Sequence, residues 1–269
     1  MAGFIADLHS PASFRTLYLV DGATTLIPAL ILLSLPSVGH RLASEEAAAN
    51  AGGYREVLGN AAFRRFLVFG LLITVCGYAQ FEVGYNAFAT LVSHVTPRVI
   101  AWAHAANTVT IVLAQMTVIH WLAGRSRSRA LAAVGVIIAA SWLILGLTGW
   151  SGHASSAVAI AGVIGCAVVF ATAETVMSPM MPAITNAMAT DELRGRFNAM
   201  SSMIWGFTAI AGPLTAAPLI GHGFGELWVA IIVAGSAGAA LVALSLSRLL
   251  TPAQDGRTVV ATAAAPVLI

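Results

Sequence analysis

The sequence predicts an all-α, polytopic membrane helical bundle of about seven transmembrane helices. Three observations carry this expectation. The 269 residues are 58% hydrophobic and 9% charged, with a mean hydropathy of +0.87, whereas a soluble domain carries about a quarter charged residues. Apolar runs of about 20 residues, the length needed to cross ~30 Å of hydrocarbon, recur along the chain. Between most of them lie short polar turns, and the basic residues concentrate in alternate turns.

The runs cover residues 14–35, 66–92, 99–122, 130–150, 155–181, 197–220 and 227–249. The fourth, ALAAVGVIIAASWLILGLTGW, holds no charge at all. The first is the most polar, with Asp21 and Pro28 inside it. It lies too deep for a cleaved signal peptide, and no small-residue cleavage site follows. If the first span starts outside, the inner segments hold Arg41, Arg55, Arg64, Arg65, Arg125, Arg127, Arg129, Arg194, Arg196, Arg248 and Arg257, and the outer ones only Arg15 and Arg98. The positive-inside rule then predicts a plasma (inner) membrane protein with its amino terminus outside and its carboxyl terminus cytoplasmic. Trp102, Trp121, Trp150 and Trp228 fall near span ends, where an aromatic belt is expected. The resulting organisation is one helix in residues 1–35, a cytoplasmic linker over 36–65, a six-helix unit over 66–249 and a disordered cytoplasmic tail over 250–269.

The same composition excludes several functions. A net charge of +2 is too small for a nucleic-acid binder. None of the basic residues is Lys, which removes Schiff-base chemistry. Cys76 and Cys166 sit in apolar runs without paired spacing, so neither a disulfide framework nor a zinc site is signalled. No phosphate-binding loop and no HExxH helix occurs. Ser151 and His153 in GWSGH lack the final glycine of a nucleophile elbow. The expectation is a protein that is not an enzyme, with no cofactor.

Ionisable groups inside hydrocarbon are costly and mark pathways, so the polar residues within the spans are the candidate site. On the second span Tyr78, Glu82, Tyr85 and Asn86 fall on one helical stripe, while Gly70, Gly77 and Gly84 recur about 120° away on a face suited to close packing. Glu82 is a candidate for binding a proton or a cationic group stacked by the tyrosines, or else a buried acid satisfied by neighbouring helices. On the third span His104, Asn107, Thr108, Ile111 and Gln115 share a face. Here Asn107 and Gln115 are the lining candidates and His104 reads as a structural donor. On the fifth span Glu174 shares its face with Cys166, Phe170, Met177 and Met181, an apolar company that disfavours the charged form and suits proton exchange. Its alternative is pairing with an inner-end arginine. Asp21 reads as an interfacial or helix-contact residue. Pro179, Pro182 and Pro213 can break helices and free carbonyls. Arg125, Arg127 and Arg129 fix topology, or in a sharper reading latch a gate.

Several stretches carry a family resemblance. GFIAD, then FRTLYLVDGATTLIPALILL, the charged linker, and YREVLGNAAFRRFLVFGLL follow one another in order. WLAGRSRSR resembles a degenerate inner-loop motif, and DELRGRFNAM leads into WGFTAIAGPLTAAP with its Gly212–Pro213 pair. Together they resemble the major facilitator superfamily, its carboxyl-terminal half preceded by the last helix of the amino-terminal half, in the manner of a drug:proton antiporter. Gly124 stands where the loop motif has Asp, and Ala216–Ala217 replace a second glycine pair. The resemblance implies half of a major-facilitator fold and a secondary active transporter that exports small amphipathic compounds against protons. It also implies a gating role for Arg125, Arg129, Gly212 and Pro213. The missing helices are expected in a longer reading of the gene, or alternatively in a second chain. The expected partners are the lipid bilayer, a small-molecule substrate and protons. The competing expectation is a non-catalytic regulatory half-bundle that docks onto a partner.

Overall fold

The computed structural model describes residues 11–34, 53–150 and 156–257. The described residues are helical and contain no strand, which is the all-α bundle expected. The chain divides into two compact units, Met1–Ala51 and Gly52–Ile269. In the first, α1 spans Pro11–Ser34, with an apolar stretch at Tyr18–Ile31. The hydroxyls of Thr24 and Thr25 donate to the Asp21 carbonyl at 2.8 and 2.9 Å, which settles two polar side chains within an otherwise apolar helix.

The second unit begins with α2 (Tyr54–Gly59) and α3 (Ala61–Ile73). The Asn60 side chain caps α3 by accepting from the Phe63 N–H at 3.0 Å, and Arg64 closes the corner by donating to the Leu58 and Gly59 carbonyls. A π-helical turn, Thr74–Tyr78, joins α3 to α4 (Ala79–Glu82), and a break at Val83 precedes α5 (Gly84–Leu91). The remaining helices are α6 (Pro97–Leu122), α7 (Arg127–Trp150), α8 (Ser156–Met188), α9 (Arg194–Gly221) and α10 (Gly225–Leu246). Pro97 starts α6 at the position where its missing N–H costs nothing. Six helices among the described residues are long and apolar enough to cross a membrane, and they overlap the second to seventh runs, the second ending at Glu82 instead of residue 92; the first run holds only the shorter apolar stretch Tyr18–Ile31.

Helix α7 lies between α8 and α10, with α6 against α8, α3 against α10, and α9 against α4 and α5. The core is aromatic at its centre. Trp142 meets Trp228 edge-on at 5.4 Å and Phe170 at 6.1 Å, and all three are buried. Helices α7 and α10 touch backbone to backbone, since a Cβ on Gly135 would stand 2.8 Å from the Ala240 nitrogen and the Ser236 oxygen. Gly70, Gly77 and Gly84 do admit close neighbours, but on different partners: Ile204 and Met181, Ile138, and the Trp228 ring respectively. The irregular stretch between Ile73 and Gly84 spreads one expected face over several helices.

Trp228 departs from its expected place in an aromatic belt. It is buried in the core and donates through Nε1 to Gln80 Oε1 at 2.9 Å. Trp102 and Trp121 are exposed, as a belt requires. Outward faces of α6 (Val112, Leu113, Met116) and α9 (Met203, Ile210, Leu214) are also exposed and apolar, which suits a bilayer as solvent.

Most described arginines of the second unit gather at one end, with Arg98 at the other end of α6. Arg65 reaches the Ser245 carbonyl, Arg127 reaches those of Ala183 and Gln254, and Asn198 bonds Asn186. These contacts place the starts of α3, α7 and α9 beside the ends of α8 and α10. The expected disorder of the tail does not extend to residues 251–257, which fold into a turn against residues 126–128. Asp255 is fully buried there, accepting from the Ser128 N–H at 2.8 Å, Ser126 Oγ at 2.7 Å and Arg257 Nε at 2.6 Å. It thereby caps the first turn of α7. Residues 258–269, residues 36–52 of the expected 36–65 linker, GFIAD, and Ser151 with His153 lie outside the described residues, while the rest of that linker forms α2 and the start of α3.

Candidate functional site

A polar cluster forms where α4, α6 and α8 meet. Its anchor is a hydrogen bond from the Tyr78 hydroxyl to Glu174 Oε1, 3.1 Å long. Tyr78 is the last residue of the π-turn, and Glu174 lies mid-way along α8. Asn107, buried on α6, donates to the Ala167 carbonyl of α8 at 3.3 Å. Glu82, one turn after Tyr78, is exposed and lines the same cavity as Tyr78. The ion pairs among the described residues are Arg194–Asp191 and Arg257–Asp255, so no arginine neutralises Glu174; a tyrosine hydroxyl holds it instead.

Beside the cluster is a cavity of about 180 Å³ lined by Tyr78, Glu82, Trp205, Thr208, Ala209 and Pro213. Trp205 stands edge-on to Tyr78 at 5.0 Å and is part-exposed. Pro213 has no N–H to give the Ala209 carbonyl one turn earlier, which leaves that carbonyl without its helical donor at the cavity wall. Gly212 lets α9 approach α4, since a Cβ there would come within 3.0 Å of the Ala79 carbonyl oxygen. The cavity thus brings Tyr78, Glu82 and Pro213 together.

Other expected site residues lie elsewhere. Tyr85 is fully buried and donates to the Val163 carbonyl at 2.9 Å, so it packs in the core instead of lining an opening. The stripe assumed an unbroken helix, and the Val83 break turns α5 so that Tyr85 and Glu82 face different surroundings. Asn86 is half-buried and pairs with His104 at 3.0 Å, the structural partnership anticipated for that histidine. Gln115 and Thr108 are exposed on α6, apart from Asn107. Cys166, Phe170 and Met177 are core residues, which leaves Glu174 and Met181 as the half-buried part of their face. Arg125 lies over the Trp121 ring at 4.2 Å and Arg129 is exposed; neither is bonded to an acid among the described residues.

Gln80 was missed by the sequence pattern. It is buried, donates to the Val75 carbonyl at 3.0 Å and to Thr215 Oγ1 at 2.9 Å, and accepts from Trp228. One side chain thus satisfies a π-turn carbonyl and ties α4 to α9 and α10. A lone amide in an apolar run was the available signal. No protein-family model, curated protein or solved structure matches the chain.

Proposed function

We propose that this polytopic membrane protein forms one wall of a secondary transport pathway, with Glu82 and Glu174 exchanging protons against a small amphipathic substrate. The observation that carries the reading is the Tyr78–Glu174 pair with Glu82 beside it at a cavity. Intramembrane carboxyls without a basic partner are characteristic of proton relays. A π-turn and an intrahelical proline border the same space, and irregular helices of this kind line the binding sites of secondary transporters. Trp205 and Tyr78 offer aromatic faces to an amphipathic or cationic guest.

Export, the proton as coupling ion and the major-facilitator relationship rest on the resemblance of the inner-loop and Gly-Pro stretches. In that scheme Arg125, Arg129, Gly212 and Pro213 act at the gate, the arginine-rich end faces the cytoplasm, and a second half supplies the opposite wall. The test is transport by the complete protein in vesicles carrying an internal pH dye. Glu82→Gln and Glu174→Gln each abolish proton-linked flux if the reading holds. Unchanged pH-dependent efflux in both variants removes the two acids from the mechanism.

A further inference from the structure

A second cavity, of about 460 Å³, opens at the arginine-rich end between the α6–α7 turn and the folded part of the tail. Arg125, Arg129 and Arg257 line it together with Trp121, Leu122 and Ala133. Arg125 is held over the Trp121 ring, at the junction of two membrane-crossing helices. Arg257 is paired with Asp255, whose carboxylate is already shared with the Ser126 hydroxyl and the Ser128 N–H. The three guanidiniums therefore face one carboxylate, leaving an excess of two positive charges. Arg127 is different. It donates to the Ala183 and Gln254 carbonyls and holds the turn itself together.

We propose that this cavity binds the phosphodiester of an anionic phospholipid. Guanidinium groups recognise phosphate through paired hydrogen bonds, and basic pockets between transmembrane helices at a membrane surface take anionic headgroups. The wall is two-sided: the arginines meet the phosphate, while Ala133, exposed on the second turn of α7, continues toward the hydrocarbon. A free phosphate ion uses the charged part alone. Trp121 sits where an interfacial ring meets the glycerol region. The proposal rests on the membrane location and is independent of transport.

The experiment measures lipid binding to the purified full chain in detergent, by native mass spectrometry and thermal unfolding. Phosphatidylglycerol, phosphatidylcholine and inorganic phosphate are the probes. Phosphatidylglycerol is expected to bind at least ten-fold more tightly than phosphatidylcholine and to raise Tm, and inorganic phosphate is expected not to displace it. Arg125→Gln with Arg129→Gln should abolish that preference, whereas Arg98→Gln, outside the cavity, should leave it intact. Equal binding of the two lipids overturns the proposal, and because it needs no variant, a misfolded double mutant cannot mask it. Displacement by inorganic phosphate overturns the lipid in favour of a soluble anion. A preference that survives the double substitution overturns the site.

Discussion

Tyr78 and Glu174, 96 positions apart in sequence, share a 3.1 Å hydrogen bond that joins the end of the π-turn to the middle of α8. The bond fixes a carboxyl within an apolar bundle. It makes the first prediction a simple one. Tyr78→Phe keeps the ring and its edge-on contact with Trp205 but removes the donor. Stability should fall by about 1–2 kcal/mol, the usual cost of leaving a charged or part-buried acceptor short of a partner. Thermal unfolding in detergent measures this, and an unchanged midpoint contradicts it.

Gln80→Leu should cost more, about 2–4 kcal/mol, because it strands the Trp228 indole N–H and the Val75 carbonyl together. Tryptophan fluorescence reports the loss directly, since Trp228 is buried. A red-shifted, broadened emission is expected.

Two glycine substitutions give opposite results. Gly84→Ala drives a methyl into the Trp228 ring, and destabilisation of about 1–3 kcal/mol should follow. Gly206→Ala, with nothing within 4 Å of its added Cβ, should gain about 0.5–1 kcal/mol from helix propensity. Equal shifts of Tm for the pair would show that packing at Gly84 is looser than described.

The tail turn is sensitive to acid. Burial works against the Asp255 charge, but hydrogen bonds from the Ser128 N–H, Ser126, Arg257 and the Ser128 hydroxyl together outweigh it and hold the carboxyl below the usual range. A depressed acid contributes stability above its unfolded value near 3.9, and that contribution is lost as pH falls through the folded value. The protection of the Ser128 amide relative to its intrinsic exchange rate should therefore be high at neutral pH and fall at strongly acidic pH. Asp255→Asn should weaken the cap by about 1 kcal/mol at neutral pH and flatten that acid limb.

The helices were legible because hydropathy alone decides whether 20 residues prefer lipid, and no tertiary detail is needed for that. The candidate site was legible only in part. Tyr78 and Glu174 do converge, with Asn107 buried against the same helix, while Glu82 shares the Tyr78 cavity but stays exposed. Tyr85 could not be placed, because its face depends on a break at Val83 that no side chain announces. Trp228 looked interfacial from its place near a span end, yet Gln80 offers its indole a buried acceptor. Asp255 escaped notice because its partners Ser126 and Ser128 lie 129 and 127 residues away. A tail without periodicity carries no trace of such a long-range cap.

The winding between Thr74 and Tyr78 accommodates a surplus residue relative to a regular turn. Deleting one residue there would restore ordinary pitch and keep the downstream faces in place; winding all five residues as regular α-helix would instead swing everything downstream by about 100° about the helix axis. Glu82 would leave its place next to Pro213, and Gln80 would lose Trp228. The irregularity therefore sets the azimuth of the acid, and a regular helix of the same sequence would keep the helix content while losing the alignment.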